Sequence, residues 1–162
     1  MPAAESPLPE FDQEMATTRR LLERVPSGHG AWKPHPKSFS LGHLAQLVSR
    51  MPAWIASTLG EDAMDLATNP GYSLEPTETL LRAFDANVRA AREAMAACTP
   101  ERLVTHWQLR HGANVLISAQ RGAMARTHLL HLVHHRGQLS VYLRLLDVPL
   151  PSIYGPTADE RG

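Results

Sequence analysis

Apolar residues recur at intervals of three and four along four segments of the chain, and this spacing constrains the fold more than any other sequence feature. It places the apolar side chains on one face of an α-helix, which turns once every 3.6 residues or so. The residues in this pattern are Phe11, Met15, Leu22 and Val25; Leu41, Leu44, Val48, Met51 and Ile55; and Leu80, Leu81, Phe84, Val88, Ala91 and Met95. A fourth segment runs from about residue 121 to 147. Because only short stretches alternate with period two, an all-α fold of four bundled helices is predicted.

Prolines and glycines separate the four segments. Residues 32–38 (WKPHPKS) hold two prolines two positions apart, which excludes a helix and predicts an extended connector. A long polar loop separates the second and third helices, so the topology need not be simply up-and-down. Residues 101–120 are compatible with a short strand or with an irregular excursion. The proline-rich residues 147–162 predict an extended C-terminal arm.

Length and charge favour one globular domain spanning residues 1–162. Sixteen basic and sixteen acidic residues cancel, and no Lys/Arg stripe is present, which argues against nucleic-acid binding. Cys98 is the single cysteine, so an intrachain disulfide is excluded and a reducing compartment is favoured. We see neither a signal-peptide pattern nor an apolar run long enough to span a bilayer, so a cytoplasmic protein without membrane partners is expected.

Four histidines fall within eight residues of the last helical segment: His128, His131, His134 and His135. Residues three and four apart share a helix face, so His128, His131 and His135 are predicted to lie on the core-facing stripe. His134 is predicted to lie on a flank. Two histidines at positions i and i+4 can hold one metal ion from a single helix.

The spacing alone leaves two interpretations of the histidines open. Three histidines at i, i+3 and i+7 span about 10 Å of helix axis and cannot all reach one ion. A metal site would therefore use His131 and His135 with a third ligand from elsewhere in the chain. Alternatively, the histidines are hydrogen-bonded core residues with no ligand role.

Several sequence stretches together resemble the DinB family, the DinB/YfiT-like damage-inducible proteins. The most specific is HLVHHRGQLSVYLRLLDVPLPSIYGPTADE at 131–160. The others are TTRRLLERVP at 17–26, WKPHPKSFSLG at 32–42, LLRAFDANV at 80–88 and WQLR at 107–110. The resemblance covers nearly the whole chain.

This resemblance implies a four-helix bundle with up-down-down-up topology, often dimeric. Many such proteins carry a divalent metal, zinc or nickel, held by three histidines. One ligand comes from the second helix, and two come from an HxxxH pair on the last long helix, matched here by His131 and His135. Related proteins include transferases and isomerases that use a low-molecular-weight thiol, mycothiol or bacillithiol, as cosubstrate.

The second helix departs from the pattern that the resemblance implies. That pattern reads Ser-Leu-Gly-x-Leu-Ala-x-His, whereas the chain reads SLGHLAQL from Ser40, so Leu47 occupies the ligand position. His43 lies one helical turn earlier, about 5.4 Å along the axis. Either His43 replaces the missing ligand, or the site is degenerate and Leu47 fills its space.

The function expected from these observations is a metal-dependent enzyme that acts on a small substrate, of thiol transferase or hydrolase type. The divalent ion would be held by His131, His135 and His43, and His134 would act as a general base or orienting group. The expected partners are a small-molecule or thiol cosubstrate and a second copy of the chain in a homodimer. The alternative is a non-catalytic, stress-associated dimeric bundle that has lost its metal.

Other candidates favour structural roles. Cys98 has no histidine beside it in the sequence, and thiol activation needs a basic neighbour or a helix N-terminus. For Arg136, a surface or capping ion pair is favoured over binding of an anionic cosubstrate. Trp32, Trp54 and Trp107 are interpreted as packing anchors.

Overall fold

The computed structural model describes residues 8–161, which form four long helices and several shorter elements. The helices are α1 (Leu8–Leu22), α2 (Leu41–Gly60), α3 (Thr77–Ala97), the short α4 (Pro100–Leu103) and α5 (Arg121–Leu145). The four predicted helical segments are confirmed, although α1 ends before Val25 and α5 before Asp147. The predicted domain also includes residues 1–7 and 162, which lie outside the described residues.

Helix α2 supplies much of the core. It begins after Ser40, whose side-chain oxygen accepts a hydrogen bond from the backbone N–H of His43. Leu44, Val48 and Met51 are fully buried at the spacing that the sequence predicted. Burial of each such side chain stabilises the fold by about 1.5–3 kcal/mol. The helix packs against both α3 and α5.

Polar contacts at the two ends of α5 fix its direction relative to α2. Arg121, at the start of α5, donates a hydrogen bond of 2.8 Å to the carbonyl of Thr58 near the end of α2. Tyr142, near the end of α5, donates one of 3.3 Å to the carbonyl of Phe39, just before α2 begins. The two helices are therefore antiparallel.

Helix α1 packs against α3 and α5. Arg92 of α3 lies 3.0 Å from Asp12, and Asp85 of α3 lies 2.8 Å from Arg19, so α1 and α3 are also antiparallel. Exposed ion pairs of this kind contribute about 0–1 kcal/mol each. The fully buried Phe11 therefore contributes more to the attachment of α1 than either ion pair.

A three-stranded sheet corrects the all-α prediction. Strand β1 (Ala63–Asp65) pairs in parallel with β2 (His106–His111), which pairs antiparallel with β3 (Asn114–Gln120). Gly112 has φ of +57° in the turn between β2 and β3, a conformation that suits glycine. The completely buried Trp107 anchors β2 to the helices. Strand β1 has only three residues, and its partner β2 lies more than forty positions later. Local periodicity therefore does not predict it.

The tail after α5 returns along the surface of α1 and α5. Asp159 pairs with Arg144 of α5, and Glu160 pairs with Arg20 of α1. Pro151 is buried beneath these contacts, so the predicted C-terminal arm is tied to the helices over its described residues, 147–161. No helix within residues 8–161 combines the length and apolar character required to cross a membrane.

Candidate functional site

His131 and His135 form a converging pair of imidazoles on α5. Their Nε2 atoms lie 2.9 Å apart. Two ligands at 2.0–2.1 Å from one ion are separated by about 2.9 Å at a right angle and about 3.4 Å at a tetrahedral angle. The observed separation therefore matches two adjacent positions of one coordination sphere.

Gln138 fixes the proton positions on this pair. Its Oε1 lies 2.8 Å from Nδ1 of His135, and because an amide oxygen only accepts, that nitrogen carries the proton. The Nε2 of His135 is then a lone-pair atom, and His131 donates its Nε2 proton to it. Hydrogen bonding of the non-ligating nitrogen to a carbonyl oxygen is a usual feature of metal-binding histidines.

The same glutamine links the pair to His134. The side-chain N–H of Gln138 donates to Nε2 of His134 at 3.0 Å. His134 is exposed, as its predicted flank position requires. Gln138 was not among the residues predicted for the site. Its signal is its position, three residues after His135 and four after His134, which places it beside both on one helix face.

The predicted core-facing stripe of histidines is only partly correct. His128 and His135 are buried, but His131 is exposed. His131 lies about 60° round the helix from His128, at the edge of the buried face. Its ring is beside Trp54 of α2, with centroids 6.0 Å apart. The pair therefore spans the boundary between core and solvent, where a ligand has access to it.

Loss of hydration beside the core lowers the pKa of all three histidines, even though the His131 side chain reaches solvent. This loss is the largest cause of the lowered pKa of His131 and of His135; neighbouring histidines lower both further, while the Gln138 hydrogen bond opposes the shift at His135. Burial, with a contribution from His131, lowers the pKa of His128 to about 4. Neutral imidazole is the form that binds metal ions.

His128 is buried between two tryptophans, Trp54 and Trp107. Its ring centroid is 5.7 Å from that of Trp54 and 5.8 Å from that of Trp107. Its Nε2 and the Nε1 of Trp107 are buried with no hydrogen-bond partner among residues 8–161. Trp54 and Trp107 thus act as packing groups, as predicted, and Trp54 also borders the exposed part of the histidine face.

The predicted third ligand, His43, lies in an aromatic column. Its ring is stacked 4.2 Å from Phe39 and 3.9 Å from Tyr72, and the Arg50 guanidinium lies 5.1 Å from the Tyr72 ring. Burial, followed by the charges of Lys33 and Arg50, lowers the pKa of His43. Stacking on both ring faces fixes the plane of the imidazole.

The described residues do not assemble a complete ligand set. In residues 8–161, no group of three or more His, Cys, Asp or Glu side chains is arranged to hold a metal ion. Leu47 is buried at the position where the resemblance predicts a histidine ligand. Of the three predicted ligands, only the His131–His135 pair is brought together, and the role of His43 as third ligand stays a prediction.

Arg136 is not the surface residue that the sequence predicted. It is buried, with one guanidinium nitrogen 2.6 Å from Glu14 and 3.2 Å from the Thr18 hydroxyl, and the other 2.8 Å from the Tyr154 hydroxyl. These partners come from α1 and the tail, which sequence periodicity does not place next to α5. The residue joins three parts of the chain and is not available to a cosubstrate.

Cys98 lies half-buried at the end of α3, where its thiol contacts the carbonyl of Thr99. It is not part of the histidine cluster, in agreement with the structural role predicted for it.

Comparisons with known proteins relate this fold to one family. The sequence profile of the DinB family matches residues 6–161. A DinB-like protein from Bacillus cereus superposes with a TM-score of 0.69 at 21% identity, over 91% of this chain and 95% of that one. A DinB-like protein from Bacillus subtilis gives a TM-score of 0.69 at 19% identity, over 95% and 98% of the two chains. At these identities the structures show the shared fold alone. No curated protein matches the sequence.

Proposed function

The chain belongs to the DinB family, and on that premise we propose that it is a divalent-metal-dependent enzyme acting on a small substrate, of thiol transferase or hydrolase type. The observation that supports this is the 2.9 Å separation of the His131 and His135 Nε2 atoms. The up-down-down-up bundle is part of the same proposal. The antiparallel pairs α1–α3 and α2–α5 support it.

Each polar residue of the site has a role in this proposal. His131 and His135 hold the ion, which when bound supplies Lewis acidity to a small oxygen or sulfur nucleophile. Gln138 keeps the proton of His135 on Nδ1, away from the ion. His134 accepts a proton from the substrate at Nε2. To do so, this nitrogen gives up the hydrogen bond that it accepts from Gln138. Trp54 covers one side of the pair and limits access of water.

Metal content tests the proposal directly. Untagged protein, purified without chelator or a nickel column, is expected to contain near-stoichiometric zinc or nickel per chain by elemental analysis. His131→Ala is expected to lose most of this metal, because one imidazole remains of the converging pair. His29→Ala, at an exposed histidine outside the site, is the matched control and is expected to keep it. His43→Ala separates the two views of the third ligand, since unchanged metal content rejects His43.

The second candidate is a non-catalytic bundle with a degenerate site. Burial of Leu47 at the family's ligand position favours it. In that case the purified protein holds no metal, and added zinc or nickel does not raise its melting temperature, because only a ligand of the folded state stabilises it. Metal bound at one ion per chain excludes this candidate and justifies a screen with low-molecular-weight thiols as cosubstrates.

The homodimer is also a proposal. Leu130, Val141 and Leu145 lie on one face of α5, and each is 57–59% exposed. Val141 and Leu145 are one turn apart, whereas His134 and Gly137 lie between them and Leu130 on this face. Exposed apolar side chains on a helix that already buries its other face are a suitable surface for a second copy. Sedimentation velocity is expected to show a dimer that Val141→Glu converts to a monomer. A monomeric wild-type protein contradicts this proposal without affecting the metal proposal.

A further inference from the structure

We propose that the cleft between α2 and α3 binds a small organic carboxylate, with the carboxylate held by Arg50 and an apolar or aromatic body against Trp54. The cleft has a volume of about 690 Å³ and is lined by α2, α3, β1 and the loop after β1. This volume is within the 300–1,000 Å³ or so that is typical of small-molecule sites. His131 and His135 do not line the cleft, although Trp54 borders both, and binding there does not require an ion.

Arg50 is positioned by the chain but retains binding capacity. One guanidinium nitrogen, Nη1, donates to the carbonyls of Pro70 and Gly71, each at 3.0 Å. The guanidinium also lies over the Tyr72 ring. Within residues 8–161 it has no carboxylate partner, and its Nε and Nη2 have no acceptor. A guanidinium held on one edge presents its other donors to a carboxylate without first having to become ordered.

One oxygen of each acidic group that lines the cleft is hydrogen-bonded within the chain. Asp65 accepts two backbone hydrogen bonds of 2.9 Å, from Ala67 and Gly112. Glu61 accepts one of 2.7 Å from Ser57. Glu61 is eleven residues from Arg50 on α2, which is about 16 Å of helix axis. Arg50 thus has free donors at the cleft, and neither acidic residue of the lining forms an ion pair with it within residues 8–161.

Two further residues define what lies beside the carboxylate. Trp54 is half-buried in the cleft wall and offers an indole surface to an apolar group. Asn87 donates its amide N–H to the carbonyl of Ser49 at 2.9 Å, so its orientation is fixed and its Oδ1 is an available acceptor. Because Trp54 also lies 6.0 Å from His131, a ligand in the cleft would be next to the metal pair.

The test uses matched probes and the full chain. 2-Naphthylacetate, 2-naphthylacetamide and 2-(2-naphthyl)ethylamine share an aromatic body and differ in charge. Binding is followed by NMR through the indole N–H of Trp54, assigned with Trp54→Phe, while Trp32 and Trp107 serve as internal references. The carboxylate is expected to bind roughly five- to tenfold more tightly than the amide, because its hydrogen bond to Arg50 is charge-assisted. The amine is expected to bind most weakly.

Variants assign the preference to Arg50. Arg50→Gln is expected to make the carboxylate and amide equal, whereas Arg89→Gln, an exposed arginine of α3 outside the cleft, keeps the preference. His131→Ala is expected to bind the carboxylate as the wild type does, so a failure of the metal proposal leaves this one standing. Equal affinities for acid and amide in the wild type, or shifts at Trp32 or Trp107 in place of Trp54, would overturn it. The wild-type comparison decides even if Arg50→Gln does not fold.

Discussion

Two polar clusters occupy neighbouring positions on α5 and differ in how completely their atoms are paired. The first contains His131, His135 and Gln138, and the second is centred on Arg136. The guanidinium of Arg136 donates to acceptors from α1 and the tail. The Nε2 atoms of His131 and His135 converge on one another at the edge of solvent. Adjacent residues, His135 and Arg136, thus belong to a site and to the framework respectively.

How completely the atoms of a polar cluster are paired indicates whether the cluster serves stability or ligand binding. A closed network stabilises one arrangement of the chain, because removing a member leaves a buried charge or acceptor unpaired. Two convergent imidazole nitrogens with access to solvent, which share one displaceable proton, have capacity for an external partner. The framework cluster should therefore govern stability, and the histidine cluster should govern ligand binding with little effect on stability.

The largest expected effect is on the framework cluster. Arg136→Met retains apolar volume but leaves the buried Glu14 carboxylate without its cation, and we expect it to lower the free energy of unfolding by about 3–5 kcal/mol. Urea denaturation measures this. Arg126→Met, at an exposed position of α5, is the control and should change stability by less than about 0.5 kcal/mol. Similar losses in the two variants would show that the Arg136 network does not join α1 to α5.

The next effect is the response of His128 to pH. Its pKa is about 4 in the folded chain and 6.5 in the unfolded chain, so the unfolded chain takes up the proton first as pH falls. The stabilising contribution is complete above pH 6.5 and is lost between there and pH 4. By linkage it amounts to about 3 kcal/mol.

Unfolding experiments at a series of pH values measure this contribution. His128→Phe is expected to flatten the stability profile across that interval, because the aromatic ring retains contact with Trp54 and Trp107 but does not titrate. A profile as steep as that of the wild type would assign the acid sensitivity to other groups.

The smallest expected effect is that of Gln138 on metal binding by the histidine cluster. Gln138→Leu removes the acceptor that holds the His135 proton on Nδ1, and we expect zinc affinity to fall roughly 10- to 100-fold. Isothermal titration calorimetry measures the affinity, and ¹⁵N NMR reports the tautomer of His135. Gln138→Glu keeps an acceptor and is expected to retain most of the affinity. Equal zinc binding in Gln138→Leu and the wild type would remove Gln138 from the site.

Much of the fold and half of the candidate site follow from local patterns. Periodicity located the long helices, and the four-residue spacing of His131 and His135 predicted that their rings would meet. The family motifs predicted membership in the DinB family, which is confirmed. The same helical spacing could have predicted Gln138, because its partners are three and four residues away. It could not have predicted the burial of Arg136, because Glu14 lies more than a hundred positions earlier.

The sequence alone therefore determined what depends on neighbours within one or two helical turns, since a helix fixes which of those side chains share a face. Only the packing of the elements decided which part of that face meets solvent: His131 is exposed and His135 is buried, although they lie one turn apart on α5. It also placed Tyr72 against His43, brought β1 beside β2, and left Arg50 at a cleft with free donors. Each of these joins residues from different elements, and no local spacing carries information about contacts that form only when the elements pack.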